Sequence, residues 1–264
     1  MISGFLLGAA VGIVMGLTGA GGGILAVPLL VFGMHLTVAE AGPIGMLAVG
    51  VSAVVGALIG LKAGIVRYRA ALLIASSGVL LAPIGVWLAL RLDTRLLSLL
   101  FSAVLAWVAY RALMETGDRK AKLTFASVDR PCIRDDVSGR FIWTSKCAGA
   151  LSIAGAIAGV LSGLLGVGGG FVMVPALQRS TDLATQSIIA TSLAVIALVS
   201  LTGVATSMAA GHFNVGVALP FATGSVVGIG IGSVLTSHLP ANYLKIAFAI
   251  ICYAVAAGMI TKSI

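Results

Sequence analysis

Residues 12–30 read GIVMGLTGAGGGILAVPLL, and residues 159–177 read GVLSGLLGVGGGFVMVPAL. Two such runs, alike in their three adjacent glycines and the proline that follows, mark the chain as a tandem duplication. The offset is 147 positions, from Gly23 to Gly170, and it also carries Gly8 to Gly155, Pro28 to Pro175, Gly56 to Gly203, Gly64 to Gly211 and Gly85 to Gly232. The two copies align with no insertion in either.

The chain around these runs is too apolar for water to be its main solvent. Charged residues make up 9% of it, apolar ones 59%, and the mean hydropathy is +1.16; a soluble domain draws about a quarter of its residues from Asp, Glu, Lys and Arg. A spanning helix needs about 20 largely apolar residues, and Leu183 to Leu244 contains no acidic residue, no Lys and no Arg. The net charge of +8 sits in loops between apolar segments, which reads as a topology signal and not as a nucleic-acid surface. The first residues lack a positive n-region and their pattern recurs later, so they read as mature structure and not as a leader.

The expected fold is therefore an all-α integral membrane protein in a lipid bilayer. Each half opens with a Gly-interrupted segment followed by three apolar ones: roughly 4–33, 42–61, 70–90 and 96–114, then 149–178, 186–209, 215–237 and 242–261. Residues 1–114 form the first repeat and 148–264 the second, joined by a polar linker at 115–147. About 25 helical residues around each break would reach about 37 Å, enough for one crossing. That length favours eight spans and parallel repeats; a re-entrant hairpin would instead give three crossings per half and inverted repeats. Basic residues place the linker and the Lys62, Arg67 and Arg69 loop on the cytoplasmic side. Trp87, Trp107 and Trp143 read as interface anchors, and His35, His212 and His238 fall at segment ends. Cys132, Cys147 and Cys252 are too scattered for a disulfide framework, and free thiols are favoured over a redox pair for the first two.

A Gly-rich break at membrane depth is tolerated only where protein or a water-filled cavity covers it. Glycine permits positive φ and leaves N–H groups open to a ligand, and a helix starting at Ile24 or Phe171 would aim free N–H groups and a partial positive charge at that opening. Such an end suits an oxyanion. Candidate substrate contacts are Gly19, Gly21, Gly22 and Gly23 in the first copy and Gly166, Gly168, Gly169 and Gly170 in the second, with Thr18, Gln186, Thr191 and Ser192 as neutral donors. Pro28 and Pro175 keep each break from closing into a regular ladder. Against this stands plain packing, which is the favoured role of Gly12, Gly16, Gly159 and Gly163; Ser and Thr in such helices also bond back to a carbonyl one turn earlier. Glu40 is a candidate for proton coupling, although an interfacial role suits it better. No paired carboxylates, no His-Glu-x-x-His helix and no Ser with a base at a segment centre support an enzyme, and no metal or cofactor is implied.

At GLTGAGGGILAVPLL and GLLGVGGGFVMVPAL the chain resembles the TauE/SafE sulfite exporter family, also called the toluene sulfonate uptake permease group. Ala190-Thr191-Ser192 matches the stretch that often follows in that family's second half, while the first half departs with Ala41, Gly42, Pro43, Ile44 and Gly45. The resemblance implies a bacterial inner-membrane permease of seven or eight spans, built by duplicating a four-span unit, that handles sulfite, sulfonates or related anions. Export of a small anion is the first expectation, since an inside-negative potential drives anion exit by about 2.3 kcal/mol per charge per 100 mV. A cysteine-based sulfur relay and a membrane scaffold are the alternatives, and self-association stays open.

Overall fold

Long apolar segments in lipid form helices because each backbone N–H must be paired within the segment, and a computed structural model shows how these pack. It describes residues 2–117, 132, 144–211, 214–236 and 241–263. The helices are α1 (Ile2–Thr18), a 3-10 turn (Gly19–Leu25) running into α2 (Ala26–Gly33), α3 (Val38–Lys62), α4 (Tyr68–Arg91) and α5 (Thr94–Gly117). The second half repeats the pattern as α6 (Ser145–Leu165), α7 (Gly170–Ser180), α8 (Thr185–Ala209), α9 (Val215–Thr236) and α10 (Ala241–Ser263). Among the described residues six helices are long and apolar enough to cross a membrane, namely α3, α4, α5, α6, α8 and α9, and Ile2–Thr18, Gly22–Gly33 and Ile246–Thr261 are shorter apolar helices. Large apolar side chains also point outward, with Leu80 75% and Leu201 69% exposed. A surface of this kind is made for lipid.

The Gly-interrupted segments do not run straight through. After the bend the first one doubles back along α1: a Cβ on Gly22 would lie 2.5 Å from Met15 Cα, and one on Gly33 would lie 2.6 Å from Leu7 Cδ1. The second folds back likewise, with Gly169 against the Ala158 carbonyl at 2.7 Å. The end of α7 reaches the start of α6 through Cys132, whose N–H donates to Ser180 O and whose sulfur is bonded to Cys147. Each broken segment therefore folds back on itself where its length also allowed a straight run, and α6 within the second keeps the length of a spanning helix.

The expectation of free thiols at Cys132 and Cys147 is also corrected, since the two form a disulfide while Cys252 stays free. Fifteen residues separate them in sequence, and only the return of α7 brings them together. Their polar surroundings in the chain carried no hint of that.

Glycine seams hold the bundle. α1 runs parallel to α9, with Gly4 beside Pro220, Gly12 on the Ser225 carbonyl and Gly16 2.8 Å from Gly232 Cα, as judged from a built Cβ. α6 runs parallel to α4, with Gly155 on Ile74, Gly159 2.7 Å from Gly78 Cα and Gly163 on Ala82. The Gly12–Ser225 and Gly159–Gly78 contacts exchange under the 147-residue offset, and Gly8–Phe221 and Gly155–Ile74 do the same. The packing role expected for Gly12, Gly16, Gly159 and Gly163 is thus what the helices use them for. Between these pairs α3 and α8 cross antiparallel at the centre, Gly50 against Ser200 and Gly60 against Ala190, and α5 packs on α10.

The ends of the helices carry the expected anchors. Arg91 stacks over Trp87 at 4.3 Å and Arg111 over Trp107 at 5.4 Å, pairs that place an amphipathic ring near the headgroups. His35, exposed between α2 and α3, takes a φ of 55°. Trp143, His212 and His238 lie outside the described residues.

Candidate functional site

The two bends meet at the middle of the bundle, between α3 and α8. A Cβ on Gly23 would lie 3.4 Å from Val167 O, and one on Gly45 3.0 Å from Gly166 O. Gly22, Gly23, Gly166, Gly168, Gly169 and Gly170 are all buried. Gly23 of the first copy is thus set against the second bend, whereas Gly19 packs on Ile189 of α8.

The copies are not equal there. Gly166, Gly168 and Gly169 take φ of 73°, 71° and 71°, and Gly169 is the N-cap of α7. In that conformation only glycine fits without strain. Gly169 O accepts from Val172 at 3.1 Å and Met173 at 3.2 Å, which leaves the N–H groups of Gly170 and Phe171 without an acceptor inside the helix. In the first copy only Gly19 has positive φ, at 75°, and Gly19–Leu25 winds as a 3-10 helix directly into α2, where Ala26 N–H donates to Gly23 O. No helix starts at Ile24, because its N–H lies inside a wound turn. The anion-type helix end expected in both copies exists in the second alone.

Pro28 falls in the first turn of α2 and Pro175 in the middle of α7. Each removes the bond to the residue four back, Ile24 or Phe171, as expected for a device that keeps the ladder from extending across the glycines.

The hydroxyls divide. Thr18 Oγ1 donates to Val14 O at 2.7 Å, so it is occupied within its own helix. Thr191 is buried, donates to Ser187 O at 2.6 Å and accepts from Arg67 N–H at 3.1 Å. Gln186 is exposed in the first turn of α8, away from the bends. Ser192 is 0% exposed and its Oγ has no partner among the described residues. Glu40 forms a capping box: its carboxylate accepts from Thr37 N–H at 3.0 Å and Thr37 Oγ1 at 2.8 Å. That arrangement caps the N-terminus of α3.

Sequence reading missed Ser200, which is 1% exposed with an unpartnered Oγ. A Cβ on Gly168 would lie 3.2 Å from that oxygen. Ser162 Oγ, at the C-terminal turn of α6, is likewise buried without a partner. By contrast the buried Ser52 and Ser225 satisfy each other at 3.0 Å and tie α3 to α9. An unmet buried hydroxyl costs about 1–3 kcal/mol, and Ser200 is the one set against the second bend, at Gly168.

One end of the bundle is open. A cavity of about 700 Å³ there is lined by Leu36, Glu40, Ile44, Thr94, Gly211 and Asn214 among others. Deeper in, a pocket of about 20 Å³ touches Gly42, Pro43, Met46, Gly163 and Ser207, and Gly42 packs on Gly166. The two linings share Ala39, Ala89 and Leu90, so the small pocket adjoins the open cavity.

Residues 4–259 match the family described as Sulfite exporter TauE/SafE. The chain belongs to this family. A TauE/SafE protein is a membrane transporter and not an enzyme. Its relatives include a "Probable membrane transporter protein" of Xylella fastidiosa (strain Temecula1), 33% identical over 97% of this chain and 93% of the relative. Another is "Probable membrane transporter protein YunE" of Bacillus subtilis (strain 168), 24% identical over 98% of this chain and 97% of the relative. No solved structure matches the TauE/SafE chain described here.

Proposed function

We propose that the chain exports a sulfur oxyanion, sulfite or an organosulfonate, across the bacterial inner membrane by alternating access, with the paired hairpin bends as the substrate site. The observation that carries this reading is Ser200 Oγ, buried and unpartnered beside Gly168 at the bend that opens α7. A hydroxyl and two free N–H groups at a helix N-terminus bind an oxyanion with no cation in the site. Neutral donors hold the anion without trapping it, which turnover requires. The family description, sulfite exporter, supports a sulfur oxyanion as substrate and export as its direction.

The hairpins support inverted repeats. With each broken segment folded back, α3, α4 and α5 cross three times, so α1 and α6 enter from opposite ends. The two ends then differ as alternating access demands. Pro43 and Ser207 line the inner pocket at the open end; their counterparts under the 147-residue offset, Ala190 and Gly60, are packed, with a built Gly60 Cβ 2.8 Å from Ala190 Cβ. One mouth is open and its twin is shut.

The closed end carries Lys62, Arg67, Arg69, Lys146 and Arg179, whereas the open end carries Arg91, Arg95 and Lys262. Positive-inside bias makes the closed end cytoplasmic. The Cys132–Cys147 disulfide lies at that same end, where glutathione and thioredoxin reduce accessible pairs; both residues are 0% exposed, which shields them.

Thermal unfolding of the detergent-purified protein against sulfite, sulfate, thiosulfate, sulfoacetate, lactate and chloride tests the site. A bound sulfur oxyanion is expected to add about 2.7 kcal/mol at a hundredfold excess over its dissociation constant. Ser200→Ala should erase that gain while leaving the unliganded protein as stable or more so, because an unmet hydroxyl is removed. No gain with any sulfur anion, or an equal gain in the variant, contradicts the reading.

A further inference from the structure

The 147-residue offset maps the open mouth onto the closed one residue by residue. Ala39, Glu40, Ile44 and Asn214, which line the open cavity, correspond to Gln186, Ser187, Thr191 and Arg67. At the closed end these residues are engaged with each other: Ser187 Oγ donates to Ile65 O at 2.5 Å, and Arg67 N–H donates to Thr191 Oγ1 at 3.1 Å. Two bonds thus tie the loop before α4 to the start of α8. The Arg67 side chain is not spent on them, since its buried Nε has no partner among the described residues.

We infer that Arg67 is the anion-receiving residue of the closed mouth, exposed to substrate when the Ser187–Ile65 and Thr191–Arg67 bonds part. This deepens the transport reading above and rests on it. A buried guanidinium nitrogen without an acceptor is a costly arrangement, and a planar fork of donors suits an anion carrying several oxygens better than any other side chain. The twin position on the open side is Asn214, which is neutral, and the Ser187 twin there is Glu40, which lines the same cavity with its carboxylate held by Thr37. The two mouths therefore differ at these twin positions, a guanidinium and a hydroxyl at one and an amide and a carboxylate at the other. That difference makes the apparent affinity for the anion higher on the Arg67 side, while the net direction follows the anion gradient and the membrane potential. Gln186 and Thr191 then belong to the mouth and not to the central site.

Initial uptake of radiolabelled sulfite into inside-out and right-side-out membrane vesicles, at low and high ionic strength, tests the inference with wild type, Arg67→Gln and Arg67→Lys. Arg67→Gln is expected to raise the half-saturating concentration about tenfold from the Arg67 side at low salt, to leave it unchanged from the other side, and to flatten its salt dependence. Arg67→Lys keeps the charge but loses the fork, so its half-saturation should fall between wild type and Arg67→Gln while its salt dependence stays like that of wild type. Equal half-saturation for Arg67→Gln and wild type from that side overturns the inference while leaving transport standing. Absence of sulfite uptake by wild type removes the transport reading and this inference with it. Should Arg67→Gln fail to fold, wild-type half-saturation that ignores salt on the Arg67 side overturns the inference.

Discussion

Gly159→Leu is expected to leave almost no folded protein in a detergent extract, while Gly149→Leu on the same helix extracts like wild type. A built Cβ at Gly159 lies 2.7 Å from Gly78 Cα and closer still to the Gly78 carbonyl, whereas nothing comes within 4 Å of one at Gly149. The atoms in the way are backbone, so no rotamer change relieves the clash and the two helices must part. In a bilayer, lipid is as apolar as a neighbouring helix, and close packing with its interhelical contacts is what holds α4 to α6. Overpacking in a core that can adjust costs about 1–3 kcal/mol. Parting a whole seam costs more, against a total stability of about 5–15 kcal/mol. Gly12→Leu, its counterpart, meets Gly228 Cα at 2.9 Å and should fail in the same way. Size-exclusion profiles of fluorescent fusions report both; a sharp wild-type peak from Gly159→Leu would mean that the seam is not where the helices touch.

Gly60→Leu is expected to keep the fold and lose transport, to below about a tenth of wild type, equivalent to about 1.4 kcal/mol or more on the rate-limiting step. Here the built Cβ meets Val66 Cγ2 at 3.0 Å, which can give by moving the loop before α4 outward, and Ala190 Cβ at 2.8 Å, which is fixed to α8 and turns the larger side chain toward that loop. A wedge at this point holds the closed mouth ajar and stops alternation without touching the bends. Thr191→Cys in the Gly60→Leu background should then react faster with a water-soluble maleimide than in wild type, because the Thr191–Arg67 contact has opened. Full flux from Gly60→Leu would show that closing this mouth is no part of the cycle.

Which parts of this were legible in the chain follows from the kind of signal each part leaves. Long apolar segments, the duplication and the glycine seams leave periodic, repeated signals, and α3, α4, α5, α8 and α9 stand close to where hydropathy puts them. The doubling back of Gly19–Gly33 leaves none, since the same glycines and the same length serve a straight broken helix equally well. Only the fit of Gly22 on Met15 and Gly33 on Leu7 selects the hairpin. Nor could equal glycine runs reveal that one winds as a 3-10 helix and the other caps α7, for the difference is in φ and not in residue type. Ser200 is a lone hydroxyl in an apolar helix, ordinary until its surroundings show no acceptor. Arg67 was visible as a topology charge; pairing it with Asn214 through the offset is the signal that would have set it apart.

The central claim is that this chain moves a sulfur oxyanion with its charge. Proteoliposomes adsorbed on a solid-supported electrode and exposed to a sulfite jump should give a saturable current in the direction of anion movement, reduced in Ser200→Ala and absent from protein-free liposomes. A sulfite or sulfonate response no larger than that of protein-free liposomes would contradict the account.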